Sequence, residues 1–126
     1  MSKEKFEIEL VINISPTILF NRLSSPSGLA EWFADDVNLN GKVFTFIWDG
    51  SSQSAEQVLR KENKMVRYHW LDDDDKDTYF EFRINVDELT SDTALVVVDF
   101  ADPDEKEDSI ELWTQQIESL KHLLGA

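Results

Sequence analysis

The chain reads as an α+β domain in which an antiparallel sheet packs against a long C-terminal helix. Three observations predict this. Residues 5–14 alternate strictly, with Phe6, Ile8, Leu10, Ile12 and Ile14 on one face and Glu7, Glu9 and Asn13 on the other, the pattern of a strand with one buried side. From Val37 to Ala101, short apolar runs are separated by turn residues such as Asn40-Gly41 and Asp49-Gly50, so consecutive strands should pair antiparallel. Beyond Asp102, Ile110, Trp113, Ile117, Leu120 and Leu124 recur at helical spacing. Such an apolar stripe needs a surface to cover it.

The elements follow in order. Ser15-Pro16 supplies an N-cap and a proline at the first helical position, which starts a short helix. Ile18, Leu19, Phe20 and Leu23 give that helix its apolar side, and Ser24–Gly28 breaks it. A second short helix carries Leu29, Trp32 and Phe33. Val37 and Leu39 begin the next strand, which turns at Asn40-Gly41. The return, Lys42–Trp48, sets Val43, Thr45 and Ile47 against Phe44, Phe46 and Trp48. Residues 54–62 form a more polar strand, expected at a sheet edge, where Glu56, Arg60, Lys61 and Glu62 discourage pairing with another chain. A monomer is the corresponding expectation. Met65–Leu71 places Val66, Tyr68 and Trp70 together, and Asp72–Asp77 is a loop. Tyr79–Leu89 sets Phe80, Phe82, Ile84 and Val86 against Glu81, Arg83, Asn85 and Asp87. Thr93–Ala101 is apolar on both faces until Asp99. The last helix opens on Asp102-Pro103-Asp104-Glu105, read as N-cap, first-turn proline and acidic N3. Lys121 and His122 suit its negative end, and Gly125 terminates it.

Length and composition set limits. A chain of 126 residues is expected to form one domain, residues 1–126, and to bury roughly two-thirds of its unfolded surface. With 26 acidic and 12 basic residues the net charge is −14, which opposes generic binding to nucleic acid or anionic lipid. The absence of cysteine excludes disulfides, thiolate metal sites and cysteine nucleophiles. No run approaches the ~18 apolar residues of a membrane span, and no signal peptide is read at the start. A cytoplasmic protein without membrane insertion is expected.

The order of elements and several local motifs resemble the START-like superfamily, also called SRPBCC or helix-grip proteins. The motifs are Ser15-Pro16, Leu29-Ala30-Glu31-Trp32-Phe33, Gly41-x-x-Phe44-x-Phe46, Val66-Arg67-Tyr68-His69-Trp70, Phe80-x-Phe82 and the helix with Trp113, Ile117 and Leu120. Within the superfamily they are most similar to the domain related to the heat-shock-protein-90 ATPase activator. The resemblance implies a helix-grip fold: a curved antiparallel sheet of about seven strands gripping the C-terminal helix, with two short helices between strands 1 and 2. It also implies a cavity between sheet and helix, often holding an apolar ligand.

Two classes of function follow as expectations, and a third is weighed beside them. The first is non-catalytic binding of a small apolar, aromatic or lipid-like ligand, with Trp32, Phe46, Trp48, Trp70, Phe82, Trp113 and Ile117 lining the cavity. The second is a protein-interaction module of the chaperone-activator kind, whose acidic surface steers a basic partner. The third, an enzyme of the cyclase or aromatase type, needs a titratable group inside the cavity. Asp99, which could pair with a basic group such as Arg83 or Arg67 or be simply a polar strand end, the tyrosines and His69 are the groups weighed for it, and none is assigned a catalytic role. His69 alternates with Tyr68 and Trp70 and is expected to point away from them. Asp72–Asp75 lacks the spacing of a calcium loop and is read as a solvated hairpin tip. No cofactor and no metal is expected.

Overall fold

The computed structural model describes residues 3–126. β1 (Glu4–Val11) leads into α1 (Pro16–Ser24) and a single-turn α2 (Pro26–Leu29). β2 (Asp36–Asn40), β3 (Val43–Trp48), β4 (Ser51–Lys61), β5 (Met65–Trp70), β6 (Phe80–Val86) and β7 (Thr93–Ala101) follow, and α3 (Lys106–Leu124) ends the chain. The strands form one antiparallel sheet in the order β1-β7-β6-β5-β4-β3-β2. All but the β1–β7 pairing join sequence neighbours through short connections. The sheet curves around α3, as expected of a helix-grip fold. Among the described residues, no helix is long and apolar enough to cross a membrane.

Alternation sets the concave face. Phe6, Phe44, Phe46, Val66, Tyr68, Phe80, Phe82, Leu95 and Val97 are buried there together. α1 contributes Leu19, Phe20 and Leu23, and α3 contributes Trp113, Ile117 and Leu120, with Ile110 and Leu124 packed at the margin. Ser15 caps α1 by accepting from the Ile18 N–H at 3.2 Å. Gly125 ends α3 in the left-handed region, φ 69°, where a side chain is disfavoured.

Three expectations are corrected. Residues 54–62 do not form an edge: β4 lies between β3 and β5, and the edges are β1 and β2. On its concave side β4 carries Ala55 between Gln53 and Gln57, and Gln57 Nε2 donates to Tyr68 Oη at 3.3 Å. Ala55, fully buried, sits in register between Phe44 and Trp70, so bulk on the neighbours replaces bulk on β4. With β4 interior, its charges guard no edge; charge protects the true edge β1 instead, through Glu4, Lys5, Glu7 and Glu9. The segment Ser24–Gly28 does not simply break a helix: Ser25 caps α2 through the Gly28 N–H at 3.0 Å, and Pro26 opens it. Trp32 and Phe33 lie in the turn beyond it. Finally, α3 begins at Lys106, with Glu105 at the N-cap and no side-chain capping bond. Asp102–Glu105 is a separate turn closed by Glu105 N–H to Asp102 O at 2.9 Å.

The α1–α2 junction tolerates no side chain at Gly28. A Cβ there would lie 2.3 Å from Asn21 O and 2.7 Å from Arg22 Cα, both backbone atoms. Gly28→Ala is therefore expected to destabilise the fold by about 1–3 kcal/mol through overpacking, measured by urea denaturation. Wild-type stability would mean that α2 can move freely against α1.

Candidate functional site

The seven residues expected to line a cavity come together between the sheet and α3. β3 supplies Phe46 and Trp48, β5 supplies Trp70, β6 supplies Phe82, α3 supplies Trp113 and Ile117, and the turn after α2 supplies Trp32. Phe82 meets Trp32 at 5.6 Å and Trp113 at 5.7 Å between ring centroids. Phe46 meets Trp48 at 6.0 Å and Trp70 at 5.7 Å. Phe46, Phe82 and Ile117 expose essentially no surface, while Trp32, Trp48 and Trp70 are half-buried at the rim. Around Phe46 and Phe82, the space between sheet and helix is filled by side chains.

Phe33 fills much of it and is missing from the predicted set. Its ring lies parallel to Trp113 at 5.6 Å and to Phe80 at 5.8 Å. It also meets Phe46 edge-on at 5.0 Å and Trp48 at 5.6 Å. Phe80 and Tyr68 complete the cluster, stacked at 5.0 Å. The period-2 pattern already places Phe80 beside Phe82 and Tyr68 beside Trp70, so strand alternation alone could have added both. Tyr68 donates its hydroxyl to Leu23 O at 2.7 Å, and burial raises its pKa well above the ordinary tyrosine value.

Hydrogen bonds orient three of the four indoles. Trp32 Nε1 donates to Arg22 O at 2.7 Å, Trp48 Nε1 to Phe33 O at 2.9 Å, and Trp113 Nε1 to Asp99 Oδ2 at 2.8 Å. At the mouth, residues 30–35, Trp48 and Gln116 of α3 enclose an open depression of about 430 Å³. Most of its exposed lining is polar, with Glu31 and Asp35 among the contributors; Trp32 and Trp48 give it part-exposed ring surface, and Phe33 and Ala34 lie buried at its floor. Glu31 is held by Arg22 at 2.5 Å. Trp70 and Asp99 face a smaller cavity of about 100 Å³, shared with Lys3 and Thr78.

The groups weighed for acid–base work have other partners. Asp99 accepts from Trp113 and from the Phe100 N–H at 2.7 Å, not from an arginine. Arg67 and Arg83 lie on the opposite face and both donate to Glu81, which is fully buried. Alternation sets Glu81 opposite the apolar face of β6, yet it too is buried. Its burial depends on long side chains from neighbouring strands, which alternation cannot show. His69 is half-buried, with Nδ1 2.9 Å from Thr78 O. In the Asp72–Asp77 loop, Asp73 and Asp75 cap backbone N–H groups of Asp75 and Asp77. The Thr78 hydroxyl donates to Asp73 at 2.6 Å and holds its carboxyl below the usual range. At the start of α3, the carboxylates of Asp102, Asp104 and Glu105 approach within 4.8 Å of one another, the latter two exposed.

Burial pushes the Asp99 carboxyl above its ordinary value, opposed by the hydrogen bonds from Trp113 and Phe100 and by the charge of Lys3. A raised folded-state pKa means that the neutral form stabilises the fold. That contribution is complete below the unfolded value near 3.9 and is lost as pH rises through the folded value. The stability of wild type minus that of Asp99→Asn is expected to fall as pH rises from about 3 to about 7, followed by denaturation at each pH. A difference that increases with pH would mean the carboxylate is favoured where it sits.

The chain matches the START-like superfamily domain over residues 1–126. It is 38% identical to a Bacteroides fragilis protein of known solution structure, over 98% of this chain and 93% of that one, with a TM-score of 0.70. It is 18% identical to the Aha1 dimer from Colwellia psychrerythraea, over 94% and 93%, with a TM-score of 0.79. A Mesorhizobium loti protein of known crystal structure is 22% identical, over 97% of both chains, with a TM-score of 0.77. A comparison with curated proteins finds no match. With the matched domain, the sheet order and the gripped helix in agreement, the chain belongs to the START-like superfamily.

Proposed function

We propose that the domain binds a small apolar or aromatic molecule at the mouth of the grip, over Trp32, Phe33 and Trp48, and catalyses no reaction on it. The observation that carries this reading is the open depression of about 430 Å³ between residues 30–35 and α3. Two half-buried indoles there have their N–H groups committed to backbone carbonyls, which leaves ring surface as what they offer a ligand. Aromatic surface of that kind favours planar or aliphatic ligands. The filled interior argues for a ligand at the rim, not one enclosed beneath α3.

Tryptophan fluorescence titration with the neutral aromatic probe 1-aminoanthracene tests the reading. Wild type is expected to show saturable quenching. Gln116→Trp, which fills the depression from α3, is expected to weaken binding at least about tenfold, or ~1.4 kcal/mol, with its melting temperature unchanged. Equal affinity in this variant, or no quenching in wild type, would overturn the reading.

A second reading, a protein-interaction module of the chaperone-activator kind, is favoured by one feature of α3. Leu112 and Leu123 are 58% and 50% exposed and lie eleven residues apart, on one side of the helix. Glu107, Asp108, Glu111 and Glu118 flank them in sequence, also exposed. The similarity to the Colwellia psychrerythraea Aha1 dimer supports this reading. A complex with a chaperone ATPase that weakens steeply with salt is its expected outcome; a complex indifferent to salt, or none, counts against it.

A further inference from the structure

The convex face of the sheet carries another depression, of about 590 Å³, at the β4–β5 hairpin. Lys61, Lys64 and Arg83 line it with the amides of Asn63 and Asn85; Met65 supplies apolar surface, the exposed Val86 borders it at the end of β6, and Ile84 is buried in the core. In a chain of net charge −14 with only 12 basic residues, three cations sharing one groove is a local reversal of sign.

The acids nearest in register bear on Arg83, through Glu81 and the charge of Glu7, and not on the two lysines. Glu62 is held by Arg60 at 2.7 Å. Glu81 is buried and shared by two arginines: Arg67 Nε donates to Oε1 at 2.7 Å, and Arg83 Nε donates to Oε2. Among the described residues, neither Lys61 nor Lys64 has a carboxylate within 4.0 Å. The bond to Glu81 also fixes Arg83. Its Nε is committed to a buried anion, and its Nη nitrogens make no hydrogen bond among the described residues. A guanidinium held this way loses little freedom when it meets a second anion. The adjacent depression, across Asn85 and Val86, is lined instead by Glu9, Asp87 and Asp92 and repels anions.

We propose that the Lys61–Lys64–Arg83 groove binds an organic phosphate monoester. The phosphate is met by the two ammonium groups and the Arg83 Nη nitrogens, and the apolar body lies over Met65 toward Val86 at the end of β6. Three cations suit a group carrying nearly two negative charges and three acceptor oxygens better than they suit a carboxylate. Val86, 52% exposed, gives the organic part a surface that a bare ion would not use.

Titration of isotope-labelled full chain with 1-naphthyl phosphate, followed by NMR at low salt, tests this. The expected result is saturable shifts at the methyl groups of Met65 and Val86 and at the Arg83 side chain. Inorganic phosphate and 1-naphthol are each expected to bind at least about tenfold more weakly, as is the Lys61→Gln/Lys64→Gln variant, a loss of ~1.4 kcal/mol per decade. Both lysines are exposed, so the variant should keep the wild-type melting temperature. Inorganic phosphate binding equally well would reduce the groove to an ion site and overturn the proposal. So would 1-naphthol binding equally well, shifts centred on Trp32 and Trp48, or undiminished affinity in the variant.

Discussion

The ring of Phe33 sits between Trp113 of α3 and Phe80 of β6, with interplanar angles of 13° and 27°, and the grip depends on this wedge. Trp113 also meets Phe80 and Phe82 directly, at 6.2 and 5.7 Å, so Phe33 closes a cluster of rings that joins helix to sheet. Stacked aromatic pairs contribute about 0.5–1.5 kcal/mol beyond their buried area, but the larger effect is geometric. Phe33 also presents its carbonyl to Trp48 Nε1 at 2.9 Å, so one residue fixes the helix, the sheet and the rim indole. Its own position follows from the short connection before it. Ser25 caps α2, and Gly28 lets α2 lie directly on the backbone of Asn21 and Arg22. The approach of α2 to α1 thus sets where the aromatic wedge enters the core.

The outer face solves a different problem. β7 is buried on both sides, and Val96 and Val98 face outward with no helix over them. In register, Glu7 and Glu81 flank Val98, and Glu9 and Arg83 flank Val96. Long charged side chains can cover apolar neighbours with their stems while their heads reach water or one another. Glu81 cannot reach water and takes charge-assisted bonds from two arginines instead. Arg67 is further held over the Tyr79 ring at 4.0 Å. The convex face is therefore a tied network of charge with exposed cations at one end.

What could be read from sequence follows from which interactions are local. Alternation in β1, β3, β5 and β6, and the Asn40-Gly41 and Asp49-Gly50 turns, depend on residues within a few positions, and the structure has these strands and turns, with β1 ending at Val11 and β6 at Val86, short of the ends read. The aromatic cluster was legible for the same reason: Phe46, Trp48, Trp70 and Phe82 fall on one face by period, and Trp113 and Ile117 by helical spacing. Strand order is not local. β4 looked like an edge because Ser54, Ala55 and Gln57 are small or polar, and only the partners Phe44 and Trp70 explain why Ala55 is fully buried. The burial of Glu81 was not legible for the same reason, since its two arginines come from another strand and from two residues away. Asp99 was visible as the odd member of an apolar strand. Its partner was not, because the Trp113 indole reaches it across the layer from α3.

β6 shows how one strand serves both faces. Phe80 and Phe82 point inward to Phe33, Trp113 and Trp32. Glu81 and Arg83 point outward, into the charge network and the basic groove. Since successive side chains must take opposite sides, a one-residue slip of β6 would bring two charges into the aromatic core and expose two phenylalanines. The register is thus fixed twice, by packing within and by the Arg67–Glu81–Arg83 contacts without. The same alternation separates the two candidate sites. The aromatic mouth draws its surface from concave residues and the turn after α2, and the cationic groove draws its charge from convex residues and a hairpin tip. The indole-lined mouth and the basic groove are in this way kept apart by a single sheet.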